Sequence, residues 1–403
     1  MDLRKIRQDF PILQDNSGRK AITYFDTACQ SLRPKPVIEA INQYYLKTSA
    51  CSGRSMHQLA AEVTRACDQS RLAVAKFLNA SRKEEIVFTR NTTEGINLVA
   101  NSLNLQKDDV VLISDKEHNS NLIPWQVAGR KKGIVVKRIP SKDDNTFNMA
   151  AYEQMLDNKV KLVSLGSTSN LDGVSIPAAE IIKRAHAVGA LVLLDAAQTA
   201  PHQRINLKAL DVDFLALSGH KMLGPSGTGV LFGKYRLLEE LEPFLVGGDT
   251  VASTTYETSE FLPPPEKFEA GLQDYSGIMG LGAAVKYLGD IGFEAIQKQE
   301  LLLNEAITAE LRNLPKLKLI GPADARLRGG IFTFYLEGVD SHRVALMLDQ
   351  MAAIMVRSGQ HCVHSWFNAH NIPGSVRASL YFYNTLEEVE LFTSSLKKIG
   401  KVF

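Results

Sequence analysis

Short apolar segments alternate with amphipathic ones through the first half of the chain. The runs Val110–Ile113, Ile134–Val136 and Leu162–Leu165 have the length and the β-branched content of buried strands. Between some of them lie stretches with apolar residues at helical spacing, such as Ala178–Val188. From Ile86 to Leu231 this alternation predicts a mostly parallel sheet covered by helices on both faces, with ligands bound at the carboxyl ends of its strands.

The pattern changes after Phe232. Gly247-Gly248 and Leu262–Glu266 predict irregular connections. A long helical pattern then runs from Ile278 to about Leu311 and is interrupted near Gly289–Gly292. Three further runs, separated by helical patterns, are predicted strands: Phe332–Leu336, Ala353–Val356 and Val376–Leu380.

At 403 residues, the chain is long enough for two domains of ordinary size. We predict an α/β protein whose large domain, residues 18–275, contains a mostly parallel sheet. Residues 1–17 and 276–403 are predicted to form a smaller α+β domain.

Composition and charge narrow the function classes. The net charge of +2 is too small a bias to indicate nucleic acid or a membrane surface as a partner. The N-terminus is charged and shows no signal peptide, and no apolar run approaches the length of a membrane span. The four cysteines lack CxxC spacing, which argues against a disulfide framework or a metal site and favours a reducing cytoplasm.

Two residues at predicted strand ends carry the first chemical indication. Lys221 follows the apolar run that ends at Leu217, and Asp195 ends the run that begins at Val192. Alone, the lysine is more simply a solvated surface group and the aspartate a helix cap. Together they suit pyridoxal phosphate, because a lysine forms a Schiff base with its aldehyde and a carboxylate keeps its ring nitrogen protonated. The pair therefore predicts this cofactor.

Two other segments carry chemistry that is ambiguous when each is taken alone. Thr92-Thr93 opens a helical pattern after the strand-like Ile86–Phe88 and suits a phosphate dianion, although a simple N-cap explains it equally well. Cys362 lies in a polar, Gly-containing segment near His361, His364 and Arg357, which favour a reactive thiolate. A free cysteine is nevertheless most often a small buried hydrophobe.

Taken together, several motifs resemble one family over nearly the whole chain. They are Thr92–Asn97, Glu117-His118, Asp195–Gln198, Ser218–Pro225 and Arg357–Cys362. Their order and residues are similar to the class V aminotransferase superfamily, and most similar to its Suf-type cysteine desulfurase and selenocysteine lyase branch. The resemblance implies fold type I of the pyridoxal phosphate enzymes, in which the mostly parallel sheet of the large domain has seven strands, and a homodimer.

The resemblance also implies roles for individual residues. Those implied to contact the cofactor phosphate are Thr92, Thr93, Ser218 and His220. Those implied to contact the ring are His118, Asn170, Asp195 and Gln198, with Lys221 as its covalent partner. Those implied to bind the substrate are Ala28, Arg54, Asn170, Arg357 and Arg377. Cys362 matches the cysteine that accepts sulfur as a persulfide, whereas Cys29, Cys51 and Cys67 match no catalytic position and are expected to be structural.

Three positions depart from the family pattern. Asn91 stands where relatives commonly have glycine, and Gly53 stands where they usually have histidine, next to Arg54. Leu272 replaces a threonine that typically reaches the phosphate of the partner subunit. These departures bear on substrate preference.

The leading interpretation is a homodimeric desulfurase that converts L-cysteine to L-alanine and passes sulfur to Cys362, for iron-sulfur cluster assembly through a sulfur-acceptor protein. L-Selenocysteine is the other candidate substrate. A selenocysteine lyase, a cysteine or cystine C–S lyase and an epimerase remain alternatives within the superfamily. A sulfur-carrier scaffold without catalysis is the alternative from another class, which the presence of Lys221 and Asp195 opposes.

Overall fold

The computed structural model describes residues 2–14 and 21–403. Its strands are β1 (Thr23–Phe25), β2 (Ile86–Thr89), β3 (Val110–Ser114), β4 (Val135–Ile139), β5 (Val160–Gly166), β6 (Leu191–Asp195), β7 (Phe214–Ser218), β8 (Gly229–Gly233), β9 (Val251–Thr254), β10 (Ser259–Phe261), β11 (Leu317–Ile320), β12 (Ile331–Leu336), β13 (Ile354–Gly359) and β14 (Ser375–Ser379). Its helices are α1 (Leu3–Arg7), α2 (Lys35–Gln43), α3 (Gln58–Leu78), α4 (Thr92–Ser102), α5 (Asn119–Lys132), α6 (Met149–Met155), α7 (Ala178–Ala187), α8 (Leu207–Leu210), α9 (Tyr235–Glu240), α10 (Tyr275–Ile291), α11 (Phe293–Leu311), α12 (Ser341–Ala352), α13 (His364–Ala369) and α14 (Leu386–Val402).

Seven strands form the larger sheet, in the order β2-β8-β7-β6-β5-β3-β4. β8 runs antiparallel to β2 and β7, and the other pairings are parallel. The predicted seven-stranded, mostly parallel sheet is therefore confirmed. Because β3, β5, β6 and β7 are parallel, their carboxyl ends lie along one edge of the sheet.

Both faces of this sheet are buried, as the continuous apolar runs predicted. Leu112 and Val163 belong to one core cluster, whereas their chain neighbours Val111 and Leu162 belong to another on the opposite face. This alternation follows from the two-residue repeat of a strand. Full burial of such a side chain stabilises the fold by about 1.5–3 kcal/mol, so both helical layers are held firmly against the sheet that carries the site.

The second sheet has five strands in the order β1-β13-β14-β12-β11, with β1 parallel to β13. The predicted domain boundary between residues 17 and 18 lies outside the described residues. The predicted large-domain range, however, includes β1, which pairs with the smaller sheet instead. α10 opens the predicted small-domain range, yet it packs on α2 and α3, and Ile278 and Leu281 share the core of the large sheet. The domain division stays a prediction, and these two elements cross it.

Two other features of the second half differ in detail from the sequence prediction. The long helical pattern is divided between α10 and α11 at Gly292, which has a φ of 81°, a backbone region that favours glycine. The region predicted to be irregular after Gly247-Gly248 contains the hairpin β9-β10. Within residues 2–14 and 21–403, none of the helices combines the length and apolar composition of a membrane span.

Candidate active site

A cavity of about 450 Å³ opens at the carboxyl edge of the large sheet. It brings together residues from β3, β5, β6 and β7 with others from β13, β14 and the segment after β1. All the predicted site residues except Arg54 line it: Ala28, Thr92, Thr93, His118, Asn170, Asp195, Gln198, Ser218, His220, Lys221, Arg357, Cys362 and Arg377.

Lys221 and Asp195 occupy the centre of this edge. Lys221 ends a short 3-10 turn directly after β7, and Asp195 is the last residue of the neighbouring β6. Burial lowers the pKa of the Lys221 amine, an effect that the Asp195 charge opposes. Burial raises the pKa of the Asp195 carboxyl, while Lys221 and a hydrogen bond from the Ala197 N–H to Oδ1 (2.9 Å) oppose the rise. The cavity thus presents a nucleophilic amine and a buried carboxylate.

The N-terminus of α4 forms one end of the cavity. The Thr92 N–H donates to Ser218 Oγ at 2.9 Å, and the Thr92 and Ser218 hydroxyls are 2.7 Å apart. The helix cap is Asn91, whose Oδ1 accepts from the Glu94 N–H at 3.0 Å. Since Asn91 does the capping, the simple N-cap explanation does not apply to Thr92 or Thr93. Their hydroxyls at a helix N-terminus suit a phosphate dianion.

His118 caps α5 and is held as a neutral ring. Its Nδ1 accepts from the Ser120 N–H at 3.0 Å, so a neutral ring carries its proton on Nε2. Burial, with the nearby Lys221 charge, lowers the pKa of His118 to about 3. A neutral, fixed imidazole at this position suits stacking against an aromatic ring.

Glu117 is a buried carboxyl group in the site. The sequence analysis did not predict its role. It accepts hydrogen bonds from Ser114 Oγ (2.6 Å), Asn121 Nδ2 (2.8 Å) and the Gly166 N–H (2.9 Å). These bonds join the ends of β3 and β5 to the start of α5 and thereby position His118. Burial raises the pKa of Glu117 to about 7. Its place in the Glu-His motif was the available signal.

The opposite end of the cavity has unfilled hydrogen-bonding capacity. Arg377 Nη1 donates to the Asn170 carbonyl at 2.9 Å, and Gln198 Nε2 donates to the Ala28 carbonyl at 2.7 Å. Among the described residues, the buried Arg377 Nε and Gln198 Oε1 have no hydrogen-bond partner. Because buried polar groups are normally paired, these atoms indicate a polar ligand.

Cys362 lies in the loop between β13 and α13. Its side chain is exposed at the cavity, and its φ of 59° and that of 50° at His361 give this loop a left-handed backbone. The Cys362 carbonyl accepts from the Asn119 N–H at 2.7 Å, which ties the loop to α5 beside His118. The Cys362 thiol is therefore not a buried side chain of the hydrophobic core.

The expected support for a thiolate is only partly present. His361 is buried and its Nε2 lies 2.8 Å from Ser375 Oγ, and burial lowers its pKa to about 2. A neutral His361 supplies no positive charge, so the prediction is corrected for this residue. Arg357 lines the cavity and pairs across the strands with Arg377.

Cys29 differs from its expected structural role. It follows β1 by four residues and lines the cavity beside Ala28, whereas Cys51 and Cys67 do not line it. No motif marks Cys29, and only the pairing of β1 with the small sheet brings it to the cavity. It is a second thiol in the site.

Arg54 lies outside the cavity of its own chain. It forms an ion pair with Asp249 and lines a different pocket, together with Tyr275. Its predicted substrate contact is therefore absent within one chain, because the Asp249 carboxylate holds its guanidinium elsewhere. Leu272 near this pocket is 70% exposed.

The sequence of the chain is similar to those of known proteins. Residues 23–392 match the family model described as aminotransferase class-V. The chain is 38% identical to a probable cysteine desulfurase of Streptomyces coelicolor, covering 100% of this chain and 98% of that one. It is 39% identical to a cysteine desulfurase of Dickeya dadantii, covering 99% and 97%.

Solved structures have the same architecture. The apo cysteine desulfurase from Thermococcus onnurineus aligns with a TM-score of 0.94 at 37% identity, covering 99% of this chain and 98% of that one. The cystine C–S lyase C-DES, at 23% identity and a TM-score of 0.82 over 95% and 99% of the two chains, shares the fold.

Proposed function

Because the chain belongs to the class V aminotransferase family, we propose that it is a cysteine desulfurase that converts L-cysteine to L-alanine and carries the released sulfur on Cys362. The observation that carries the proposal is the exposed Cys362 thiol in the same cavity as Lys221, Asp195 and Arg377. A lyase that only eliminates the substrate's sulfur has no need of this thiol. The full-length match to cysteine desulfurases supports the same activity.

The enzyme depends on pyridoxal phosphate, and the cavity fits it. The Lys221 amine suits its aldehyde, Asp195 its ring nitrogen, and the α4 N-terminus with Ser218 and His220 its phosphate. His118 suits the face of its ring, and Asn170 and Gln198 suit its phenolic oxygen. When bound, the cofactor supplies an electron sink for the carbanion at the substrate α-carbon.

The residues of the chain supply binding, proton transfer and sulfur transfer. Arg377 and Arg357 bind the substrate α-carboxylate, with Ala28 in the adjoining wall. The Lys221 amine, with its lowered pKa, accepts the α-proton. The Cys362 thiolate then attacks the substrate sulfur: a new S–S bond forms, the substrate Cβ–S bond breaks, Cβ is protonated, and a proton returns to the α-carbon. The products are alanine and a Cys362 persulfide.

The proposed reaction is tested by its products. With L-cysteine and a reductant, the protein is expected to form alanine and sulfide in equal amounts and no pyruvate. With one equivalent of L-cysteine per chain and no reductant, the sulfur is expected to stay on the protein as the persulfide, because its release needs a thiol acceptor. Amino-acid analysis and a sulfide assay measure both. Pyruvate as the main product would instead establish a C–S lyase, and faster turnover of L-selenocysteine would shift the substrate assignment.

We also propose a homodimer in which Arg54 approaches the partner's cavity. Met56 follows Arg54 by two residues, and Leu272 lies between Gly271 and Gln273, which line the Arg54 pocket. Both side chains are strongly exposed, and a two-fold interface covers such apolar groups. Light scattering is expected to give twice the chain mass of 44.4 kDa. Arg54→Ala is expected to lower activity at least about tenfold, by removal of a charged substrate contact. A fully active monomer contradicts this assignment.

The biological setting follows from the same proposal. The persulfide sulfur passes to an acceptor protein for iron-sulfur cluster assembly. Cys29, Cys51, Cys67 and Cys362 are all free thiols, which supports a reducing, cytoplasmic location.

A further inference from the structure

Asp26 lies next to two guanidinium groups that line the cavity, those of Arg377 and Arg357. It follows β1 and bridges to Ser379 at the end of β14. Its Oδ1 lies 3.6 Å from Arg377 Nη2 and its Oδ2 lies 3.9 Å from Arg357 Nη1. Both distances are too long for hydrogen bonds. Asp26 therefore attracts the two arginines without being fully bound to either of them.

Both Asp26 and Arg377 have a buried polar atom without a hydrogen bond in the part of the chain that the structure describes. Among the described residues, the buried Asp26 Oδ1 and Arg377 Nε have no hydrogen-bond partner. Arg377 is 3% exposed, so water does not replace the missing partner freely. Burial raises the pKa of Asp26, and the charges of Arg377 and Arg357 oppose the rise. Two guanidiniums and one carboxylate leave a net charge of +1, which one further carboxylate neutralises.

We propose that Asp26 competes with the α-carboxylate of the amino acid for Arg377 and Arg357, and thereby keeps the affinity for substrate and product moderate. This inference rests on the proposed function, which assigns the amino-acid carboxylate to these arginines. Asp26 repels the incoming carboxylate and shares its partners, and it restores partial neutrality when alanine leaves. Asp26 is a positioning residue that sets carboxylate affinity and does not touch the reacting atoms.

The decisive variant is Asp26→Asn, which keeps the shape of the side chain and removes its charge. Titration of the cofactor-loaded protein with L-alanine, followed by visible absorbance, is expected to show binding about tenfold tighter than in the parent, which is about 1.4 kcal/mol. L-Alaninamide has the same amine but no carboxylate, so its affinity is expected to stay within about twofold, which is about 0.4 kcal/mol. A merely structural role of Asp26 would change both ligands alike.

Two controls keep the result interpretable. Glu180→Gln removes a carboxylate that pairs with Arg184 at 2.8 Å on the surface of α7, and it is expected to change neither titration. Asp26→Glu keeps the charge on a longer side chain that reaches the guanidiniums, so L-alanine is expected to bind several-fold more weakly than in the parent. If Asp26→Asn does not fold, this variant decides the question.

Unchanged or weaker binding of L-alanine in Asp26→Asn overturns the inference, as does a parallel change for L-alaninamide. Unchanged or tighter binding in Asp26→Glu overturns it as well. The proposed function fails separately, because alanine binding is measured without desulfuration. If the parent releases no sulfur from L-cysteine, the proposed activity is refuted. If Asp26→Asn still binds L-alanine more tightly than the parent, the role of Asp26 is retained.

Discussion

Replacing Cys362 with alanine is expected to reduce sulfur release from L-cysteine by about 10⁴-fold or more, the scale at which removal of an enzyme nucleophile acts. The reason is that no other group in the proposed reaction attacks the substrate sulfur. Binding of the cofactor and of L-cysteine is expected to remain, because Lys221, Asp195 and Arg377 are unchanged. Cleavage of L-selenocysteine is expected to survive, since selenium leaves without a protein nucleophile more easily than sulfur does.

The matched controls are the other cysteines. Cys51→Ala changes an exposed thiol outside the cavity and is expected to have parent activity. Cys29→Ala tests the second thiol of the cavity directly. After brief treatment of the parent with L-cysteine, mass spectrometry is expected to find one added sulfur on the Cys362 peptide. If the Cys362 peptide is unmodified and Cys362→Ala turns over L-cysteine at the parent rate, the desulfurase assignment is wrong and a C–S lyase is favoured.

Replacing Lys221 with alanine is expected to abolish turnover of every amino acid and the visible absorbance that the cofactor has when linked to the protein. The loss of rate is expected to be on the order of 10⁴-fold or more, because the covalent attachment and the α-proton acceptor are removed together. Spectrophotometry and the alanine assay measure the two effects. Lys183→Ala on the exposed face of α7 is the matched lysine control.

The same substitution makes a prediction about stability. Burial lowers the pKa of Lys221 in the folded protein. The unfolded chain therefore holds this proton more strongly than the folded protein does, so the lysine destabilises the fold at pH values below its unfolded pKa of about 10.4. The Tm of cofactor-free Lys221→Ala is expected to equal or exceed that of the parent at pH 7. A coloured, active variant would refute the cofactor assignment, and a lower Tm would refute the argument from burial.

Much of the fold follows from local patterns in the sequence. The apolar runs of β3, β5 and β6 identify buried parallel strands, because a strand covered on both faces has no polar alternation. Parallel strands place their carboxyl ends on one edge of the sheet, so the sequence already predicts that Lys221 and Asp195 lie along the same edge. Gly292 divides the long helical pattern near the predicted interruption.

What the sequence by itself determined is the class of architecture, the cofactor and the residues at the strand ends, since each of these depends on short-range periodicity and motif order. Only the tertiary structure shows that the segment after β1 lines the cavity. β1 has three residues, too few to show which sheet they join, and its pairing with β13 spans more than 300 positions. That pairing brings Cys29 to the cavity and Asp26 to Arg357 and Arg377. The tertiary structure also determines charge states, because the neutrality of His361 depends on burial by residues that are distant in sequence.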